Sequence, residues 1–215
     1  VGLTFDVDNV SPSLASGNVL PDVLSRGEYG ANDGMPRILR LLDKYQLPAT
    51  FFIPAVSHLM HPQMVPAILA SGRHEIGVHG WIHENLPALN DAAAEQDLLN
   101  RALDALTKAM GKKPVGYRAP AWQFSNATMG QVKAAGFLYD SSLQASDDPY
   151  EIVMDRKPTG VIELPIDWLN DDNAYFGGVA NGSSPDPDVV ERIFEAEFDQ
   201  AYEEGGLFNL TMHPH

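Results

Sequence analysis

Residues 3–9 read LTFDVDN, and the reading of this segment decides the fold. Leu3, Thr4 and Phe5 are strand formers, and Asp6 and Asp8 stand at the strand's end with Val7 between them. Successive strand residues point to opposite faces, so aspartates two apart project the same way where the extended geometry persists. Carboxylates at the mouth of a buried strand are unfavourable unless a cation or hydrogen-bond donors compensate them. The rest of the chain has to supply that compensation.

Working outward, short β-branched or aromatic runs alternate with helical periodicity. Strands are expected at 1–5, 49–54, 75–79, 115–118, 137–140, 161–164 and 207–212, seven in all. Helices are expected between them. Residues 35–45 carry Pro36 in the first turn, and 63–71 end at Gly72. Residues 91–110 follow Asn90 as cap and show Leu98, Leu99, Ala102, Leu103, Leu106 and Met110 as a stripe. Residues 126–135 end at Gly136, and 188–204 space Val190, Phe194, Phe198 and Tyr202 by fours. This alternation predicts an α/β fold with a mostly parallel sheet or barrel, as a single catalytic domain over 1–215. The connections 9–34, 141–160 and 165–187 are longer than turns, and loops of that length are usually functional. All three follow strands, so they gather on the carboxyl rim, where α/β barrels build active sites. Asp6, Asp8, His79, His83, Arg118, Asp140, Asp167 and His213 fall at or just beyond strand ends.

Composition narrows the partners. The chain has 215 residues, 44% hydrophobic and 20% charged, which suits one globular core. Its formal charge of −15, from 14 basic and 29 acidic residues, repels phosphate backbones and argues against nucleic acid as a partner. Without cysteine there are neither disulfides nor thiolate ligands. No apolar run reaches the roughly 18 residues of a membrane span, and no basic-then-apolar leader precedes Val1. A soluble, cytoplasmic chain is the expectation, while the start at Val1 and the stop after "TMHPH" read as cut ends.

In "HEIGVHGWIHEN" His79 ends the third strand and His83 follows four residues later, with Gly80 letting the chain turn between them. Two imidazoles so spaced can meet one ion; a surface pair is the plainer alternative. With two nearby aspartates, one carboxylate can bind a cation while the other stays free. Two histidines and one aspartate leave open positions on a zinc-like ion, the pattern of a catalytic site.

The motifs "TFDVD", "HGWIH", "YRAPAW" and "LTMH" resemble, in order from Thr4 to His213, those of the NodB-type polysaccharide deacetylases, carbohydrate esterase family 4. The resemblance implies a distorted (β/α)7 barrel and a divalent metal, usually zinc, held by Asp8, His79 and His83. It also implies Asp6 as general base, oriented by Arg118, and His213 as general acid. The commonest first motif has adjacent aspartates, whereas Val7 intervenes here. With "EYGANDG" and "HGWIHEN", that spacing resembles a branch acting on peptidoglycan-like substrates, cyclic imides and allantoin, in which homo-oligomers occur. Zinc-dependent N-deacetylation of a polysaccharide is the function implied; hydrolysis of a small cyclic amide and a nonhydrolytic carbohydrate-binding barrel are the alternatives. An iron oxygenase fits the two-histidine, one-carboxylate set but not the alternating βα pattern.

Trp122, Tyr29 and Trp81 are expected to line the pocket, because aromatic faces stack on sugar or planar imide rings. Glu28, in the first long connection, is expected either to contact substrate or to be a solvated loop charge. Asp171 or Asp172 either orients His213 or serves a turn. His58, His61 and His74 read as structural or surface residues.

Overall fold

The computed structural model describes residues 1–177 and 185–214; His215 and part of the third long connection lie outside them. The strands are β1 (Gly2–Asp6), β2 (Thr50–Ile53), β3 (Glu75–Val78), β4 (Gly116–Tyr117), β5 (Tyr139–Asp140), β6 (Tyr150–Met154), β7 (Lys157–Glu163) and β8 (Asn209–Met212). They form one sheet in the order β6-β7-β5-β4-β3-β2-β1-β8, and every pairing is parallel except β6 with β7. The seven parallel strands are those the sequence predicts. β6 is the correction: it lies in the second long connection and forms a hairpin with β7.

The parallel strands roll into a distorted barrel. Arg118, just beyond β4, donates to Thr4 and Asp6 on β1, although β3 and β2 separate those strands along the sheet. No named ladder joins β7 to β8 among the described residues. Across that seam Asn209 Nδ2 donates to the Pro165 carbonyl at 2.8 Å, and Asp171 pairs with Thr211 in an isolated bridge.

Strand alternation sorts side chains between two environments. Phe5, Val7, Phe51, Ile53, Ile76 and Val78 join a hydrophobic cluster with Leu42, Ile68, Leu99, Leu106 and Val132 from the surrounding helices. Each such side chain contributes about 1.5–3 kcal/mol on burial. The alternating Thr4, Asp6, Phe52 and His79 face the interior with Arg118, whose guanidinium lies 4.2 Å from the Phe52 ring centroid.

The helices α3 (Met35–Tyr45), α7 (Ala92–Met110), α8 (Thr128–Ala135) and α10 (Pro187–Glu204) match expectation closely, and α4 (Ala55–Met60), α5 (Met64–Leu69) and α6 (Leu86–Leu89) are short. Asp91 caps α7, accepting from Ala93 and Ala94 N–H, while Asn90 ends α6 in the left-handed region; the cap expected at Asn90 moves by one residue. The first long connection is not a loop. It holds α1 (Ser11–Ala15), α2 (Pro21–Tyr29) and a π-helical turn, Gly30–Gly34, that runs directly into α3. The third holds a short 3₁₀ turn, Trp168–Asn170, and α9 (Asp172–Phe176).

Candidate active site at the carboxyl rim

β1 brings Asp6 and Asp8 to one side, where both face His79. His79 Nε2 lies 3.7 Å from Asp6 Oδ2 and 3.5 Å from Asp8 Oδ1. His83 Nε2 lies 3.5 Å from Asp8 Oδ2. Gly80 takes φ +74°, and His83 itself sits at φ +60°, an uncommon conformation for a residue with a side chain, so the turn returns the second imidazole to the first. The imidazoles meet edge-on with centroids 5.1 Å apart.

Asp8, His79 and His83 can hold a metal ion. Their ligand atoms lie within 4.8 Å of one another. The separations of 3.5 Å exceed hydrogen-bond length and match the about 3.3 Å edge of a tetrahedron with bonds near 2.0–2.1 Å. His79 Nδ1 is 2.8 Å from the Arg118 carbonyl, which accepts its proton and leaves Nε2 as the lone-pair donor. The donor set suits a divalent ion of zinc type.

Asp6 is nearly fully buried, yet ionised. Burial pushes its pKa up, but the charges of Arg118, His79 and His213 outweigh it and hold the carboxyl below its ordinary value. Arg118 Nη1 donates to Asp6 Oδ1 at 2.8 Å. Its other donors are fixed: Nε to the Ser141 carbonyl, Nη2 to Ser141 Oγ, and Nη1 also to Thr4 Oγ1.

His213 follows β8 on the opposite flank. Its Nε2 lies 3.9 Å from Asp8 Oδ2. Asp172 grips it twice, Oδ1 lying 2.7 Å from Nδ1 and Oδ2 accepting the backbone N–H at 2.8 Å. Burial alone would lower the His213 pKa, but the Asp172 hydrogen bond and the Asp8, Asp6 and Asp172 charges raise it to about 10. Of the two aspartates considered beforehand, Asp172 makes the hydrogen bond. Asp171 caps α9 through the Asn173 N–H, and burial raises its pKa to about 6.

Several contributors carried no readable signal. Ser57 Oγ donates to the Asp8 carbonyl and meets Ser11 Oγ at 2.8 Å, which fixes the backbone of the first motif. Glu84 accepts the Trp81 and Ile82 N–H groups and closes the turn between the histidines. Gly34 approaches the Pro214 carbonyl so closely that a Cβ would lie 1.9 Å from its oxygen, so the π-turn braces the chain beside His213.

The expected substrate contacts divide. Tyr29 lines a cavity of about 570 Å³ that also reaches His213 and Asp172. Trp122, at φ +58°, is buried against Trp168, ring centroids 4.4 Å apart, and Trp168 is half exposed. Trp81 lies beneath the Arg101 guanidinium at 4.1 Å and packs on the core. Glu28 faces His61 Nε2 at 3.4 Å and accepts from Asn32. Among the described residues, neither Trp81 nor Glu28 lines that cavity.

An α/β barrel with two histidines and two aspartates on its carboxyl rim, flanked by a buried arginine and an Asp-paired histidine, defines a class of hydrolytic barrel. A family model described as polysaccharide deacetylase matches residues 1–139, and the chain belongs to that family. It is 33% identical to the peptidoglycan deacetylase of Helicobacter pylori across 100% of this chain and 83% of that protein. A solved Mycobacterium smegmatis structure described as a polysaccharide deacetylase superposes with TM-score 0.89 and 36% identity, covering 99% of this chain and 76% of the other. A solved allantoinase shares the fold at TM-score 0.84 and 23% identity, covering 99% and 76%. The NodB-type resemblance of the four motifs is borne out.

Proposed function

We propose that this protein is a metal-dependent hydrolase of non-peptide C–N amide bonds that removes acetyl from an N-acetylated sugar of chitin or peptidoglycan type. The observation that carries this reading is the placement of two proton-transfer groups of opposite character around the Asp8, His79 and His83 cluster. Asp6 is held ionised by Arg118, and His213 is held protonated by Asp172.

Asp8, His79 and His83 would hold the ion, zinc being the best match to the donors. A bound divalent cation supplies a Lewis acid for the amide carbonyl and lowers the pKa of water. Asp6 accepts a proton from the attacking water, and Arg118 keeps it aimed. As the C–N bond breaks, His213 Nε2–H gives its proton to the departing nitrogen, so the products are acetate and a free amine. Asp172 fixes the tautomer and orientation of His213, as a carboxylate behind a catalytic imidazole does elsewhere.

A second reading keeps the site and gives it a small cyclic amide or imide. It is supported by the cavity beside His213, which α1, α2 and α9 wall into a space of small-molecule size. Acetate release from chitooligosaccharides and peptidoglycan fragments, measured beside ring opening of succinimide-type compounds, separates the two. Both assays are run before and after chelation and zinc readdition. Acetate release that chelation abolishes and zinc restores supports the first reading; chelator-insensitive turnover sinks both.

A further inference from the structure

We propose that Arg26 anchors a carboxylate of the substrate, so that the cavity beside His213 selects anionic N-acyl compounds; this rests on the hydrolase reading of the rim. Arg26 is the one fixed cation among the described residues lining that cavity. Acidic residues outnumber basic ones about two to one in this chain, and Arg37, Arg73, Arg101 and Arg118 each meet an aspartate. Arg26 forms no hydrogen bond or ion pair among the described residues. Asp172, the one carboxylate among the described lining residues, is taken up twice by His213. The positive charge therefore stands uncancelled at the cavity.

Its position is built into the fold. A Cβ on Gly27 would lie 2.6 Å from the Asn9 carbonyl oxygen, so glycine lets α2 press against the segment that follows Asp8. This seats Arg26 on the cavity that His213 also lines. A plainer role, compensating the free carbonyls of a helix end, does not fit. Gly30 continues in helical geometry and the chain runs through the π-turn into α3, so α2 has no open end there. Pro12, Val23 and Phe176 add apolar wall to the lining. The cavity's lining thus combines a proton-transfer group, apolar wall and a guanidinium fork suited to two-pronged carboxylate binding.

N-acetylmuramic acid and N-acetylglucosamine share the N-acetyl pyranose and differ in one lactyl carboxylate, which makes them a matched pair of probes. Calorimetric titration of the zinc-loaded protein is expected to give about tenfold tighter binding of the muramic acid, weakening with added salt. Arg26→Gln is expected to bring the two sugars to the same affinity, and Arg26→Lys to keep part of the preference. Arg26 is exposed, so both variants should retain the native melting temperature. Equal binding by the unaltered protein, a preference that survives Arg26→Gln, or no binding of either sugar overturns the proposal. Acetate release is measured separately: its absence with the anion preference intact rejects the deacetylation reading and leaves the carboxylate site standing.

Discussion

Two groups of buried carboxyls in this barrel respond oppositely to the same burial. Asp6 is 2% exposed and Asp140 and Glu163 are 0% exposed, yet the Asp6 pKa is lowered while those of Asp140 and Glu163 are raised. Asp6 has the Arg118 guanidinium at 2.8 Å. Asp140 and Glu163 have neutral donors: the Ser142 N–H meets both, Ser142 Oγ meets Asp140, and the Leu143 N–H meets Glu163. Burial is the largest influence in all three; after it, the Arg118 cation at contact distance lowers Asp6, whereas the neighbouring Glu163 charge raises Asp140 further. The two groups are also joined. The Ser141–Ser142 turn that the acid pair holds is the turn that anchors Arg118.

The strongest way to break this contrast is Arg118→Met, which leaves Asp6 buried without its cation. Removing one partner of a buried pair typically costs about 3–5 kcal/mol, and that loss is expected at pH 7 by urea denaturation. The sign reverses with pH. In the unaltered protein the lowered Asp6 pKa gives stability that is present above its unfolded value and lost as pH falls through the folded one. In the variant Asp6 joins the raised class, so its penalty grows as pH rises from 4 and is absent where it is protonated. A loss equal at pH 4 and pH 7 would sink the account.

Asp6→Asn keeps an acceptor for Arg118 and removes the base. A fall in kcat of about a thousandfold, with KM little changed, is expected from steady-state kinetics on whichever substrate is turned over. Activity within tenfold of the starting protein would remove Asp6 from the proton transfer.

What could be read beforehand from residue order and what could not divide along physical lines. The parallel strands and the four rim motifs were legible because strand period and motif spacing are local. β6 was hidden by its turn: Asp155 and Arg156 take φ +51° and +62°, the paired left-handed geometry of a tight hairpin, without the Asn-Gly signature. The helices between Asn9 and Gly34 were hidden by glycines at 27, 30 and 34, which read as loop; Gly27 and Gly34 serve close contacts instead, and Gly30 opens the π-turn. Ser57 and Ser141 hold groups of other segments, the Asp8 carbonyl and the Arg118 guanidinium, while Glu84 holds the Trp81 and Ile82 N–H groups of its own turn, and such pairings leave no pattern in one sequence. Glu28 and Trp81 stood in motif-rich stretches but face His61 and Arg101. Adjacency in a motif did not fix the direction of those side chains.

Asp172→Asn tests the other flank with a smaller effect. The amide still caps the His213 N–H but no longer stabilises the imidazolium, and a fall in activity of about tenfold to a hundredfold is expected. In the metal-free protein, NMR titration should find the His213 pKa well below the about 10 of the unaltered chain. Because that pKa is raised, its contribution to stability is complete below the ordinary histidine value and is lost as pH rises towards 10. In the variant the loss should finish at lower pH. An unmoved pKa would show that Asp8 and Asp6 suffice.

Glu163→Gln sharpens the contrast from its neutral side, with the smallest expected change. Two buried acids on one turn are best accommodated by sharing one proton, and raised pKa values make the pair most stable below the unfolded value near 4, with stability declining as pH rises. Glutamine keeps an oxygen for the Ser142 and Leu143 N–H groups and offers its own N–H towards Asp140, which can then stay ionised. The variant should gain about 1 kcal/mol, or roughly 2–4 °C in melting temperature, at pH 8 and nothing at pH 4. Because the turn also carries Arg118, kcat should stay within about twofold if the amide preserves its geometry. Destabilisation at both pH values would mean that Glu163 acts as a charged acceptor and that Arg118 reaches further across the barrel than its direct contacts indicate.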